Sequence, residues 1–228
     1  MSDSWSQATG VFQLYSDALA GLGQHLTEPV WQSLMAELRG CQGKIVVTGV
    51  GTSGIAARKV AHMLACVERP AIYLNATDAA HGDLGFLRAD DLVIMLSRGG
   101  NSDELTRLLP GLAARNVPIL SVTENADSAI AKASRLVIST GVQREADPLN
   151  MLATTSILLV LAIFDAACAC LMSESGYSKE TLLSVRAFPL IFSTRHPQAG
   201  FFYVSIEDKT VKKPVNALRS TPTICSAR

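Results

Sequence analysis

Lys44-Ile-Val-Val-Thr-Gly-Val-Gly-Thr-Ser-Gly54 runs a short apolar strand into a glycine-rich turn, and a helix predicted over about 53–66 follows at once. Glycines let the backbone adopt positive φ and let a ligand approach closely. The helix behind the turn presents unpaired N–H groups and the positive end of its dipole. The stretch therefore reads as an anion site, most simply a phosphate site, at the carboxyl end of a strand. Gly49, Gly51 and Gly54 also fit G-x-G-x-x-G. That fingerprint requires an acidic residue about 20 positions on, closing the second strand. Here the second apolar run, Ala71-Ile-Tyr-Leu-Asn75, ends in Asn, and Asp78 falls three residues late in a stretch that reads as loop. A dinucleotide is thus the weaker reading, beside a strand–helix turn that binds nothing.

A second loop of the same kind shifts the balance. Asp91-Leu-Val-Ile-Met-Leu-Ser97 reads as a buried strand, followed by Arg98-Gly-Gly-Asn-Ser102 and a predicted helix over about 102–115. Ser97, Asn101 and Ser102 put hydroxyl and amide groups where that helix begins. Ser102 alone would be an ordinary N-cap. Two such loops on consecutive units suit a phosphate monoester on a small polar molecule. No G-x-x-x-x-G-K-[ST] occurs, so a nucleoside triphosphate is not expected.

Strands are predicted at about 44–48, 71–75, 91–97, 118–122 and 135–139, with helices between them, a short one over about 127–132 included. A long helix is predicted over about 154–172, and Pro110 is expected to kink the 102–115 helix. Strands spaced by helices imply right-handed crossovers and a parallel sheet, with ligands at the carboxyl ends of the strands. Val11, Leu14, Ala18 and Leu22 at helical spacing predict an N-terminal helical arm, continued by Trp31, Leu34 and Leu38. The organisation expected is an arm over 1–40, an α/β domain over 41–185 and a tail over 186–228. Ala153-Thr154-Thr155-Ser156 opens the long helix with three hydroxyl residues. They read either as capping or as a third wall for a phosphate.

Gly49-Val-Gly-Thr-Ser-Gly54, Ala79-Ala-His-Gly-Asp83, Ser97-Arg-Gly-Gly-Asn-Ser102 and Arg144-Glu-Ala-Asp-Pro148 together resemble the sugar isomerase (SIS) fold. They are most similar to the single-domain arabinose-5-phosphate isomerases, from about residue 10 to Val185. The resemblance implies a flavodoxin-like, doubly wound, five-stranded parallel sheet that binds phosphosugars and assembles as a homodimer or homotetramer. It implies a phosphosugar contact at Ser97, Ser102, Thr154, Thr155 and Ser156. Gly51, Thr52, Ser53 and Asn101 complete the expected substrate-binding set.

Aldose–ketose isomerisation moves a proton between adjacent carbons through an enediol, and needs a base above the carbon acid and groups to shuttle protons between oxygens. His81, in a loop between strands beside Asp83, and Glu145, in a polar loop before the long helix, are the two candidates. The alternatives are a packed histidine and a solvated loop charge. The resemblance carries both positions over as active-site residues, without deciding which is the base, and suggests that His81 completes a neighbour's site. No metal, nucleotide or redox cofactor is expected. The function implied is interconversion of ribulose 5-phosphate and arabinose 5-phosphate, the alternative being a phosphosugar-binding protein without catalysis.

This chain departs from the family pattern. Thr52 stands where a Lys is usual, Asn101 where a Glu is usual, and Arg98-Gly99-Gly100 replaces Asn-Ser-Gly. Arg98 can supply positive charge in their place. After Val185 the usual His-Pro-Gly-Gly, whose His is a leading catalytic candidate in the family, is replaced by Arg186-Ala-Phe-Pro-Leu-Ile-Phe192. The tail reads as either a shifted reading frame or a divergent extension, and its His196-Pro197 lacks the flanking glycines. No pair of CBS-type repeats follows and no helix-turn-helix precedes, so neither a regulatory module nor a transcription regulator is expected.

Composition bounds the partners. Charged residues make up 18% and formal net charge is zero, so no nucleic-acid footprint exists and phosphate selectivity must be local. The AVILMFWYC set, at 48%, suits a sheet buried on both faces and apolar interfaces between copies. Met1-Ser-Asp-Ser-Trp-Ser lacks basic residues and an apolar core, so no signal peptide is expected. The apolar stretch Ile157–Phe164, continuing past Asp165 to Met172, reads as too short for a membrane span and is interrupted by a carboxylate. Five cysteines without zinc spacing suggest the reducing cytoplasm.

Overall fold

In the computed structural model, which describes residues 4–185, five parallel strands form one sheet in the order β2-β1-β3-β4-β5. The strands are β1 Ile45–Gly49, β2 Ala71–Leu74, β3 Leu92–Leu96, β4 Ile119–Val122 and β5 Leu136–Ile138. This is the expected doubly wound, flavodoxin-like order. The order reverses between β1 and β3, which pair from Ile45↔Leu92 to Gly49↔Leu96. The crevice outside their carboxyl ends is where such sheets bind ligands. Both glycine-rich loops open into it.

The three central strands β1, β3 and β4 are buried on both faces, which explains their unbroken apolar runs, while the edge strands β2 and β5 are partly buried. Ile45, Val47, Leu92, Ile94, Leu96, Leu120 and Val122 face one core, shared with α2 (Glu28–Gly40), α3 (Thr52–Cys66) and α8 (Thr155–Ser175). Val46, Val93, Met95 and Ile119 face the other. The short helices α4 (Ala76–Ala80), α5 (Asp103–Thr106), α6 (Leu109–Ala114) and α7 (Ala129–Ala133) cover that side. The arm helix α1 (Ser4–Gly21) contributes no buried residue and rests against α8. Last among the described elements is α9 (Lys179–Val185).

Three local expectations change. The helix expected over 102–115 is two helices, because Pro110 cannot donate to the carbonyl of Thr106 and instead sits in the first turn of α6. The stretch around Asp78 is helical, since Asn75 caps α4 by accepting from the N–H groups of Thr77 and Asp78. The long apolar segment is not too short. Helix α8 has 21 residues and, by length and composition, could cross a membrane. Here its face of Leu159, Ile163, Phe164, Ala167 and Leu171 is buried in the core, and Asp165 pairs with Lys59 of α3. The tail from 186 onward, with His196-Pro197, lies outside the described residues.

Candidate functional site

The first loop is built by close backbone approach. A Cβ on Gly49 would lie 2.7 Å from the Ser53 carbonyl oxygen, and one on Gly54 2.8 Å from that of Gly49. Gly51 adopts φ +57° and ψ −128°, a region that side chains rarely enter. The result is a tight turn that exposes Thr52 and directs Ser53 toward the crevice.

The second loop folds around Ser97. Its Oγ accepts from the Gly100 N–H at 3.1 Å and lies 3.1 Å from Ser102 Oγ. Gly100, at φ +68°, lies so close to α7 that a Cβ would stand 2.1 Å from Ser128 Oγ. Asn101 turns away from the crevice and accepts from the Ala129 N–H at 3.0 Å, holding the start of α7. This loop thus presents Ser97 and Arg98, while Asn101 serves packing.

The third contribution comes from the start of α8. Glu145 is 1% exposed. Its Oε2 accepts from the N–H groups of Thr154, at 2.8 Å, and Ser156, at 3.1 Å, and Arg98 Nη1 donates to Oε1 at 3.0 Å. Burial alone would push this carboxyl up. Bonds from the Ser156 hydroxyl and the two N–H groups, with the Arg98 charge, more than reverse that and hold it below the ordinary carboxylate range. Glu145 is therefore a fixed anion at a helix N-terminus. It takes the place that the sequence offered to a phosphate, and Thr154 is drawn into the same network, accepting from the Ala146 N–H at 2.8 Å.

Ser53, Ser97, Arg98, Glu124, Thr140 and Ser156 line one narrow cleft across the carboxyl ends of the strands. Its enclosed space is about 20 Å3, room for about one water molecule. The hydroxyls of Thr140 and Ser156 already donate to Glu124 and Glu145, which leaves those of Ser53 and Ser97 and the Arg98 guanidinium as donors that suit the oxygens of a phosphate. Glu124 was not found from sequence. Both its oxygens are taken, by the hydroxyls of Ser139 and Thr140, each at 2.6 Å, and the N–H groups of Thr140 and Gly141. It organises residues 139–141 rather than facing the cleft as a free charge. The signal for Glu124 and Thr140 was their place just beyond β4 and β5, where the carboxyl-end rule applies as it does after β1 and β3.

The structure does not bring every expected residue to this cleft. Gly51, Thr52, Asn101, Ser102, Thr154 and Thr155 do not line it. Glu145 touches it through Arg98 and Ser156. His81 caps the C-terminus of α4, is exposed, and makes no side-chain hydrogen bond or ion pair among the described residues. Asp83 opens a short 3-10 turn and does not bond the imidazole. Among the described residues no three His, Cys, Asp or Glu side chains gather as a metal site.

The SIS domain family matches residues 37–170. Arabinose 5-phosphate isomerase KdsD of Yersinia pestis is 33% identical over 170 residues, which is 75% of this chain and 52% of that protein. KdsD of Escherichia coli K12 matches with the same identity and the same shares. The chain thus spans about half the length of the curated relatives it matches. A Listeria monocytogenes protein, provisionally assigned as a sugar-phosphate isomerase, aligns at TM-score 0.77 and 40% identity, over 79% of this chain and 95% of that one. The protein c3406 of E. coli CFT073, solved in complex with arabinose 5-phosphate, aligns at TM-score 0.71 and 29% identity, over 79% and 98%.

Proposed function

The chain belongs to the SIS domain family, and from that premise we propose that it is a phosphosugar aldose–ketose isomerase acting on ribulose 5-phosphate and arabinose 5-phosphate. The observation that carries this reading is the cleft at the switch point of the sheet. Hydroxyls from three separate loops converge there beside Arg98. In this reading the phosphate lies across the mouth of the cleft, held by Ser53, Ser97 and Arg98, while Ser156 stays bonded to Glu145. The enclosed space is too small to take the sugar, so the carbon chain extends outward from it. The similarity to KdsD and to the neighbour solved with arabinose 5-phosphate supports the substrate class.

The chemistry assigned is transfer of a proton from C1 of the ketose to C2 of the aldose through an enediol. Glu145 and His81 are the two proton-transfer groups. Glu145 is held ionised by Arg98 and the start of α8, so it can accept a proton without first losing one. His81 stands outside its own chain's cleft, which fits a homodimer or homotetramer in which it reaches a neighbour's site. We read residues 1–40 as the arm that supports such assembly, 41–185 as the catalytic domain and 186–228 as a separate tail. The cytoplasm is the compartment proposed, where the unpaired cysteines at 41, 66, 168 and 170 stay reduced.

One observation favours a second reading, a binding protein without turnover. The Glu145 carboxylate is already engaged by two N–H groups, the hydroxyls of Thr154 and Ser156, and a guanidinium. Turnover by the unaltered chain separates the two, and a Glu145→Gln variant then tests the residue. Under the first reading it loses isomerisation while still binding arabinose 5-phosphate. Unchanged turnover removes Glu145 from the mechanism.

A further inference from the structure

Between the arm and the segment that follows β5 lies a second, larger cavity of about 340 Å3. Its polar walls include Asp17 and His25 from the arm, and Arg144 and Thr155 opposite, and its apolar walls include Leu14 and Leu159. It shares only Thr140 with the cleft. Ser53, Ser97 and Arg98, the groups suited to phosphate, are absent from its walls.

We propose that this cavity is a separate site for a neutral, polyhydroxylated molecule of sugar size. The volume falls within the range of small-ligand sites. The charged wall residues are one carboxylate and one guanidinium, so the cavity has no net preference for an anion or a cation. Asp17 accepts, Arg144 donates and the His25 ring can do either, which matches hydroxyl groups that both donate and accept. Leu14 and Leu159 suit the C–H faces of a carbohydrate.

Two further observations mark the place as built. Thr155 is 1% exposed, and its hydroxyl has no hydrogen-bond partner. Buried hydroxyls are nearly always satisfied, so a ligand that reaches this one recovers a bond the fold leaves unmade. Gly141, at φ +71°, lies directly against the His25 ring, where an added Cβ would be 1.9 Å from His25 Cδ2. Only a glycine lets the arm's imidazole rest on this segment and close that side of the cavity.

The test is ligand-observed saturation-transfer NMR on the full chain with D-arabitol, which has neither phosphate nor carbonyl and is silent about isomerisation in the cleft. The expected result is binding in the millimolar range, about what ten heavy atoms support. Saturating arabinose 5-phosphate leaves it unchanged. Ala18→Phe, which fills the cavity from the arm, weakens it about tenfold or more. Asp17→Asn, on the exposed face of the arm, weakens it about threefold and carries the test if the first variant fails to fold. Absence of transfer from the wild-type chain, displacement by arabinose 5-phosphate, or full binding in the folded variants overturns the proposal.

Discussion

Glu145 is the residue on which the proposed chemistry turns. It was legible in sequence as a polar-loop carboxylate before a helix, but its partners were not. Arg98 lies 47 positions away, and nothing in its local sequence says that it crosses the crevice to Oε1. The hydroxyl-rich start of α8 looked like a phosphate wall; folding hands its N–H groups to Glu145 instead. Two outcomes follow. Glu145→Gln keeps the shape but loses the charge that Arg98 and the helix N-terminus face, and should cost about 1–3 kcal/mol of stability at pH 7. The folded carboxyl titrates below the unfolded one. Its contribution is therefore complete above the unfolded range of about pH 4–5 and is lost as pH falls through the lower folded value. Denaturation of both proteins across pH should show their difference shrinking only on the acid side. Arg98→Gln should weaken arabinose 5-phosphate binding about tenfold or more, read by calorimetry, since a charge-assisted contact is removed.

At the scale of elements, all five strands and their parallel direction could be read, because buried strands carry apolar runs between turn signals, while their order across the sheet rested on the family resemblance. What the sequence hid were the short pieces. Helix α4, with only five residues, has too few positions to show a period, and its cap Asn75 looked like a strand end. The break between α5 and α6 was expected as a kink, because Pro110 tells where a helix cannot continue but not whether it restarts. Gly100 is a tightly constrained point between elements, set at positive φ and against Ser128. Gly100→Ala should destabilise the chain by about 2 kcal/mol or more, seen as a lower melting temperature, since strain and overlap act together. Helix α1 makes a different prediction. Phe12 and Leu19, seven residues apart, are 60% and 42% exposed on a helix that rests against α8 without burying any residue fully. An apolar stripe of this spacing suits a partner helix. Phe12→Glu should shift the protein toward monomer in light scattering coupled to size exclusion.

At the scale of the whole molecule, the fold and the candidate site differ in how much local sequence can say. The sheet follows from patterns a few residues long, so the architecture was readable from β1 outward. The site is assembled from loops after four different strands and the start of α8, and only folding decides which side chains meet. That is why Ser53, Ser97 and Ser156 reach one cleft while Asn101 and Thr154 are drawn into packing. It is also why Glu124 and Thr140, unremarkable in sequence, stand beside them. The central claim is that this cleft, with Glu145 behind it, isomerises a phosphosugar in a chain without the His-Pro-Gly-Gly segment. The direct measurement is turnover of ribulose 5-phosphate by the purified chain, with arabinose 5-phosphate detected as product. The account predicts steady turnover that Glu145→Gln abolishes. No turnover by a folded chain that still binds arabinose 5-phosphate would contradict it.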